Sequence, residues 1–133
     1  AVQSPYEILG EAGIRQLVAS FYQRMDSEPR YAEIRAMHAQ DLGPVQEFFS
    51  QYLISWMGGP PVYMKSRGSM CITAAHKPLG IEPRHSQQWL DCFVDALQAQ
   101  ERDDTEQLQQ MLMPPLQAIT RMLETKPTPD YAV

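Results

Sequence analysis

The stretch "SWMGGPPVYMKSRGSMCITAAHKPLGI", residues 55–81, decides how this chain is to be read. Before it, Val45, Phe48, Phe49, Tyr52, Leu53, Trp56 and Met57 recur at helical spacing from Pro44 onward, a wide apolar stripe. Gly58-Gly59-Pro60-Pro61 stops that helix, because glycine has little helical preference and proline cannot continue the hydrogen-bond ladder. From 62 to 81 no long periodic segment follows, only short pieces punctuated by Gly68, Pro78 and Gly80. A structureless run of that length inside a compact domain is more often functional than accidental. Within it, His76 stands after two alanines and just before Lys77-Pro78, at the last turn of a short helix.

The flanking sequence is helical throughout. Ser4-Pro5-Tyr6-Glu7 has the form of a capping box, with proline at the first helical position. Gly10 and Gly13 keep that first helix short, and Ile14, Leu17, Val18, Phe21, Tyr22 and Met25 then mark an amphipathic helix that ends at Asp26, Ser27 and Pro29. A short piece carries Tyr31, Ile34 and Met37 with His38 at its end. Pro83 opens a helix bearing Trp89, Phe93, Ala96 and Leu97. After "QERDDTEQ" comes a last helix with Leu108, Met111, Leu112, Leu116, Ile119, Met122 and Leu123, in which Pro114-Pro115 predicts a kink. No strand-like alternation and no repeat occurs, so the fold class is all-α. The chain reads as one domain over 1–124 with a disordered tail over 125–133.

Composition narrows the function. The 133 residues suffice for one sizeable core, 44% are hydrophobic and 20% charged, as in ordinary globular domains. A net charge of −5 with no basic cluster excludes the electrostatic footprint of a nucleic-acid binder. Cys71 and Cys92, with no C-x-x-C and no secretion signal in "AVQSPYEILG", predict free thiols in a cytoplasmic protein. No segment approaches the roughly 20 apolar residues of a membrane span.

Three histidines occur, His38, His76 and His85, none in H-x-x-x-H spacing, so a metal site built from local ligands is not indicated. A lone histidine is usually hydrogen-bonded and partly buried without being a ligand. A single axial histidine is, however, what haem iron takes from a globin-type site, and His76 has the unobstructed setting for it. Tyr22 and Trp89 are in phase with core residues; each is a core aromatic with a satisfied polar tip, or a donor aimed at a cavity. Phe48, Phe49, Tyr52 and the eight methionines fit a core and a cofactor slot equally well. Cys92 reads as a packing residue. No nucleophile elbow or phosphate loop occurs.

In order, "YEILGEAGIRQLVASFYQRMD", "IRAMHAQDL", "SWMGGPPVYMKSRG", "AAHKP" and "QQWLDCF" resemble the truncated haemoglobins of group II, from about Tyr6 to Leu97. The resemblance implies a two-over-two helical sandwich globin with a very short proximal helix preceded by a loop. It implies haem b held by His76 as the metal ligand, and reversible binding of O2, NO or CO. Tyr22, Trp89 and His38 fall on ligand-stabilising distal positions, Phe49 on the distal wall and Val45 on the gate. Tyr63 and Arg67 fall near the propionates, and Phe48, Leu53, Met57, Leu79, Ile81 and Phe93 on apolar haem contacts. Relatives often carry a basic residue before the proximal histidine; here it is Ala75, leaving Lys65, Arg67 or Lys77 to substitute. They also often show Gly-Gly at the first corner, where this chain has Gly10-Glu11 with Gly13 nearby. The same residues suit an O2-handling globin, or an enzyme oxidising NO or decomposing peroxide or peroxynitrite with a reductase partner. A monomer or weak dimer is expected. A haem-free helical interaction or sensor module is the competing class, and it leaves His76, Tyr22 and Trp89 unconnected.

Overall fold

The computed structural model describes residues 3–67, 72, 76 and 79–124, with the Arg67 side chain outside the description. The elements are α1 (Pro5–Ser27), a 3-10 turn (Pro29–Tyr31), α2 (Ala32–Ala36), α3 (Gly43–Trp56), α4 (Val62–Arg67), α5 (Pro83–Ala99) and α6 (Thr105–Leu123). No strand occurs among the described residues. The expected tail over 125–133, and the expectations on Cys71, Ala75, Lys77 and Pro78, lie outside the described residues.

Reciprocal capping starts α1: Ser4 Oγ accepts from the Glu7 N–H at 3.1 Å, and Glu7 Oε1 accepts from the Ser4 N–H at 3.0 Å. Gly10, at φ 68° and ψ 173°, then breaks the helical path inside α1. Only a residue without a Cβ holds that conformation cheaply, so the corner turns on Gly10 alone while Gly13 stays helical against Leu9. The Ile8 carbonyl left at the break accepts from the Arg102 guanidinium at 3.1 Å.

α1 packs on both α3 and α5, and α5 packs on α6, giving two helix pairs face to face. Ile14, Leu17, Val18, Phe21 and Met25 of α1 are at most 1% exposed and meet Leu53 and Ile54 of α3 and Cys92, Phe93, Ala96 and Leu97 of α5. The predicted stripes of α1 and α5 are therefore the core. α6 runs through Pro114-Pro115 as one helix. Both prolines lie on its exposed face, and Leu112 and Leu116, buried one turn apart, hold the other face on the core.

The glycine pair after α3 is a packing requirement. A Cβ at Gly59 would lie 2.5 Å from the Tyr6 ring and 2.7 Å from the Ile54 carbonyl. That close approach lets the Tyr6 N–H donate to the Met57 carbonyl at 3.0 Å, fastening the end of α3 to the start of α1. At the other end, Glu33 on α2 accepts from Arg84 at 2.9 Å and Gln88 at 3.0 Å, both on α5. Tyr31 and Arg30 both donate to Asp95 of the same helix. These clasps hang α2, and with it His38, against α5.

Candidate functional site

Between the two helix pairs lies a cavity of about 400 Å³, within the range of small-molecule and cofactor sites. α1 contributes Tyr22, the α2 segment Ile34, Met37, His38 and Ala39, and α3 Val45, Phe48, Phe49 and Tyr52. Tyr63 of α4 and the segment bearing Ile72, His76, Leu79 and Ile81 form another side. His85, Ser86 and Trp89 of α5 and Leu116, Ile119, Thr120 and Leu123 of α6 complete it. Most of this surface is hydrocarbon, with a few polar tips.

All three histidines line the cavity, and the hydrogen bonds set His85 apart from the other two. His76 Nδ1 is 2.7 Å from the Ile72 carbonyl, and the His76 N–H donates to the same oxygen at 3.3 Å. A carbonyl only accepts, so Nδ1 carries the proton and Nε2 keeps its lone pair, the form that ligates metal. His38 repeats this, with Nδ1 2.7 Å from the Ile34 carbonyl. His85 is the reverse: its Nδ1 accepts from the Glu82 N–H at 3.0 Å, so Nε2 holds the proton and lies 3.5 Å from Glu33. With both nitrogens engaged, His85 offers no ligand. Burial, with smaller contributions from Arg35 and His76, depresses the His38 pKa below the usual imidazole value.

An aromatic cluster forms one wall. Phe21 contacts Tyr22 at 5.0 Å and Trp89 at 5.1 Å between centroids, and Phe49 closes the ring of contacts at 6.1 Å to Tyr22 and 5.7 Å to Trp89. His38 joins through Tyr22, at 5.8 Å edge to face. Neither the Tyr22 hydroxyl nor the Trp89 indole N–H has a hydrogen-bond partner among the described residues, although Tyr22 is 4% exposed. Burial, with the Cys92 thiol a lesser cause, pushes the Tyr22 pKa well above the ordinary phenol value, so its proton stays on. The wall thus presents two fixed donors to the cavity.

Of the other residues expected there, Phe48, Phe49, Tyr63, Leu79 and Ile81 line the cavity, as does Val45. Phe48 and Leu79 are about 40% exposed at its rim. Leu53, Met57 and Phe93 are buried in the core behind it; Phe93 stacks on Trp89 at 5.5 Å and 11° between planes. Among the cationic candidates Lys65 is exposed on α4, and the Arg67 side chain and Lys77 lie outside the described residues. The contribution of α6 is new: the stripe through Leu108, Leu112 and Leu116 is core, but its continuation through Ile119, Thr120 and Leu123 is only partly buried and faces the cavity. That drift from full to partial burial has no signature in the apolar spacing. Tyr52, edge-on to Tyr63 at 5.1 Å, is likewise a lining residue rather than core. No cluster of three or more metal-ligating side chains occurs among the described residues.

An all-helical sandwich around a largely apolar, cofactor-sized cavity, with two unpartnered donors on one wall and imidazole nitrogens left unpaired, defines the class of the site. Residues 4–122 match the model of the bacterial-like globin family, and the chain belongs to that family, among its group II truncated haemoglobins. It is 34% identical over 94 residues to group 2 truncated hemoglobin YjbI of Bacillus subtilis, covering 71% of this chain and 69% of that one. Among solved structures it is similar to the group II 2-on-2 hemoglobin of Agrobacterium tumefaciens, with a TM-score of 0.86, 30% identity, and 95% and 97% of the two chains covered. It is also similar to the truncated oxygen-avid haemoglobin of Bacillus subtilis, with a TM-score of 0.79, 28% identity, and 92% and 100% covered. The fold is thus the two-over-two globin sandwich expected from the sequence. Haem and diatomic-ligand binding follow from the family. The residues present fit the group: the cavity is cofactor-sized and largely apolar, and His76 keeps a lone pair on a ring fixed by its other nitrogen. No described helix is long and apolar enough to cross a membrane.

Proposed function

We propose that this chain holds haem b through His76 Nε2 and reversibly binds O2, with NO and CO as alternative ligands, to retain or react with them rather than to carry O2 in bulk. The observation that carries the reading is the pairing, across one cavity, of a tautomer-fixed imidazole with the unpartnered donors of Tyr22 and Trp89. The oxygen-avid character stated for the Bacillus subtilis relative supports it.

The cofactor supplies the iron at which a diatomic ligand attaches. The chain supplies the rest. The Ile72 carbonyl holds the proton on His76 Nδ1, keeping Nε2 basic and the ring oriented. Tyr22 Oη and Trp89 Nε1 would donate to a diatomic ligand, His38 would support the Tyr22 ring that it contacts edge to face, and Phe49 and Val45 would exclude water. A hydrogen bond to an acceptor carrying charge is worth about 1.5–3 kcal/mol. Two such bonds slow ligand escape by a factor of a hundred or more, since about 1.4 kcal/mol is tenfold. Tyr63 stands at the cavity edge for a propionate, with Lys65, Arg67 or Lys77 as the cationic partner.

The test is the absorption spectrum of the purified protein and of His76→Gly in ferric, deoxy-ferrous and carbonmonoxy states. A histidine-ligated haem spectrum that changes coordination in the variant is expected. A spectrum indifferent to His76, or no haem uptake when haem is supplied, would overturn the reading. Steady NO consumption with a reductant and reductase would mark an NO-oxidising enzyme, the second use that the same residues allow.

A further inference from the structure

A second pocket, of about 410 Å³, opens on the opposite side of α2, between that helix and the end of α1. It is lined by Met25, Asp26, Arg35, Ala36 and Gln40 among others, and one residue is common to both cavities: His38. At His38 the solvent-facing pocket and the main cavity share a lining residue.

The wall differs here from everywhere else on that side. Tyr22, Phe49, Trp89, Phe21 and Phe93 interlock through ring contacts of 5.0 to 6.1 Å, several per ring. His38 makes one ring contact among the described residues, with Tyr22, and its side chain is held by one hydrogen bond, to the carbonyl one turn earlier on its own helix. Nothing from α5 or α6 bonds it among the described residues. What fixes the backbone around it is Arg35. That guanidinium donates through Nε to Asp26 at 2.8 Å, and through its two other nitrogens to the carbonyls of Ala39 and Gln40 at 2.9 Å each. One side chain therefore straps the residues following His38 to the end of α1.

We propose that the outer pocket is the entrance by which an uncharged diatomic ligand reaches the Tyr22 side of the main cavity, with the His38 ring as its door and Arg35 as its latch. This rests on the haem reading above: with a macrocycle held in the main cavity, a path beside His38 would reach the Tyr22 side without passing Val45, the position that the resemblance places at the gate. Rotation of one side chain about its own Cα–Cβ bond would open this one, at the cost of its ring contact with Tyr22 and its hydrogen bond to the Ile34 carbonyl.

The experiment is flash photolysis of the carbonmonoxy protein, following bimolecular CO rebinding in four variants. Ala36→Trp fills the outer pocket from a position that does not line the main cavity, and should slow rebinding several-fold. Arg35→Ala releases the latch and should speed it, and Asp26→Asn, which loosens the same strap from the other end, should do so to a lesser degree. His38→Gly removes the door and should speed rebinding while leaving the Ala36→Trp block in force. A wild-type protein that forms no carbonmonoxy spectrum would sink the haem reading itself. A normal carbonmonoxy spectrum in all variants, with rebinding rates indifferent to Ala36→Trp and to both latch substitutions, would overturn the entrance alone.

Discussion

Replacing Tyr22 by Phe separates the structural from the functional share of one residue. The ring stays, and with it the contacts to Phe21 at 5.0 Å, His38 at 5.8 Å and Phe49 at 6.1 Å. Only a hydroxyl is lost, one with no partner among the described residues. A buried hydroxyl engaged in a protein hydrogen bond contributes about 1 kcal/mol, so its removal would show in unfolding; here the haem-free protein should keep its stability to within roughly 0.5 kcal/mol. O2 dissociation should change far more. Losing one hydrogen bond to a charged acceptor, about 1.5–3 kcal/mol, corresponds to a roughly ten- to hundredfold faster off-rate. Stopped-flow displacement of O2 by CO reads the rate, and urea unfolding reads the stability. An off-rate within about twofold of wild type would refute the donor role, because so small a change is under 0.5 kcal/mol. A large loss of stability in the haem-free variant would show that the hydroxyl holds the fold together instead. The direction of the Tyr22 pKa adds a second check. The folded chain keeps this proton where an unfolded one loses it, near pH 10, so the contribution is intact below that pH and is lost as pH rises above it. Tyr22→Phe removes the contribution and should lose less stability than wild type between neutral pH and pH 11.

Three further outcomes follow from the same geometry. The Cys92 thiol is fully buried, donates to the Phe21 carbonyl at 3.3 Å and has its pKa pushed by burial up to about 12; thiol-alkylating reagents at pH 8 should label it only at the rate of global unfolding. Tyr31→Phe takes a hydrogen bond from the Asp95 carboxylate while Arg30 remains on it, and should cost about 1.5–3 kcal/mol in urea unfolding without altering the O2 off-rate. His38 has a depressed pKa in the fold, so an unfolded chain binds its proton first as pH falls. Its contribution is complete above about pH 6.5 and is lost below it, and the haem-free His38→Gln variant should lose less stability than wild type between pH 7 and 5.

The helices were legible because each obeys a local rule. Ser4 and Glu7 sit at the spacing of a capping box and form one; the stripes of α1 and α5 have the helical period and are the core; "GGPP" reads as a stop and ends α3. Pro114-Pro115 does not end α6, because Leu112 and Leu116 pin its other face by packing that no local pattern records. The residues proposed for the site are legible by a different route, a resemblance of ordered motifs that marks His76, Tyr22 and Trp89.

What the chain alone determined is therefore periodicity, punctuation and the order of its motifs, all properties of neighbours in sequence. Tertiary structure decided which of the stripes' residues turn from the core to the cavity, as Tyr52, Ile119 and Leu123 do while Leu53 and Phe93 do not. It also decided the chemical state of three histidines that look alike in the sequence: the carbonyls of Ile72 and Ile34 leave His76 and His38 a free lone pair, and the Glu82 N–H with Glu33 takes both nitrogens of His85. A side chain's burial and the partner of each ring nitrogen depend on where other helices stand, and that is set only when the chain has packed.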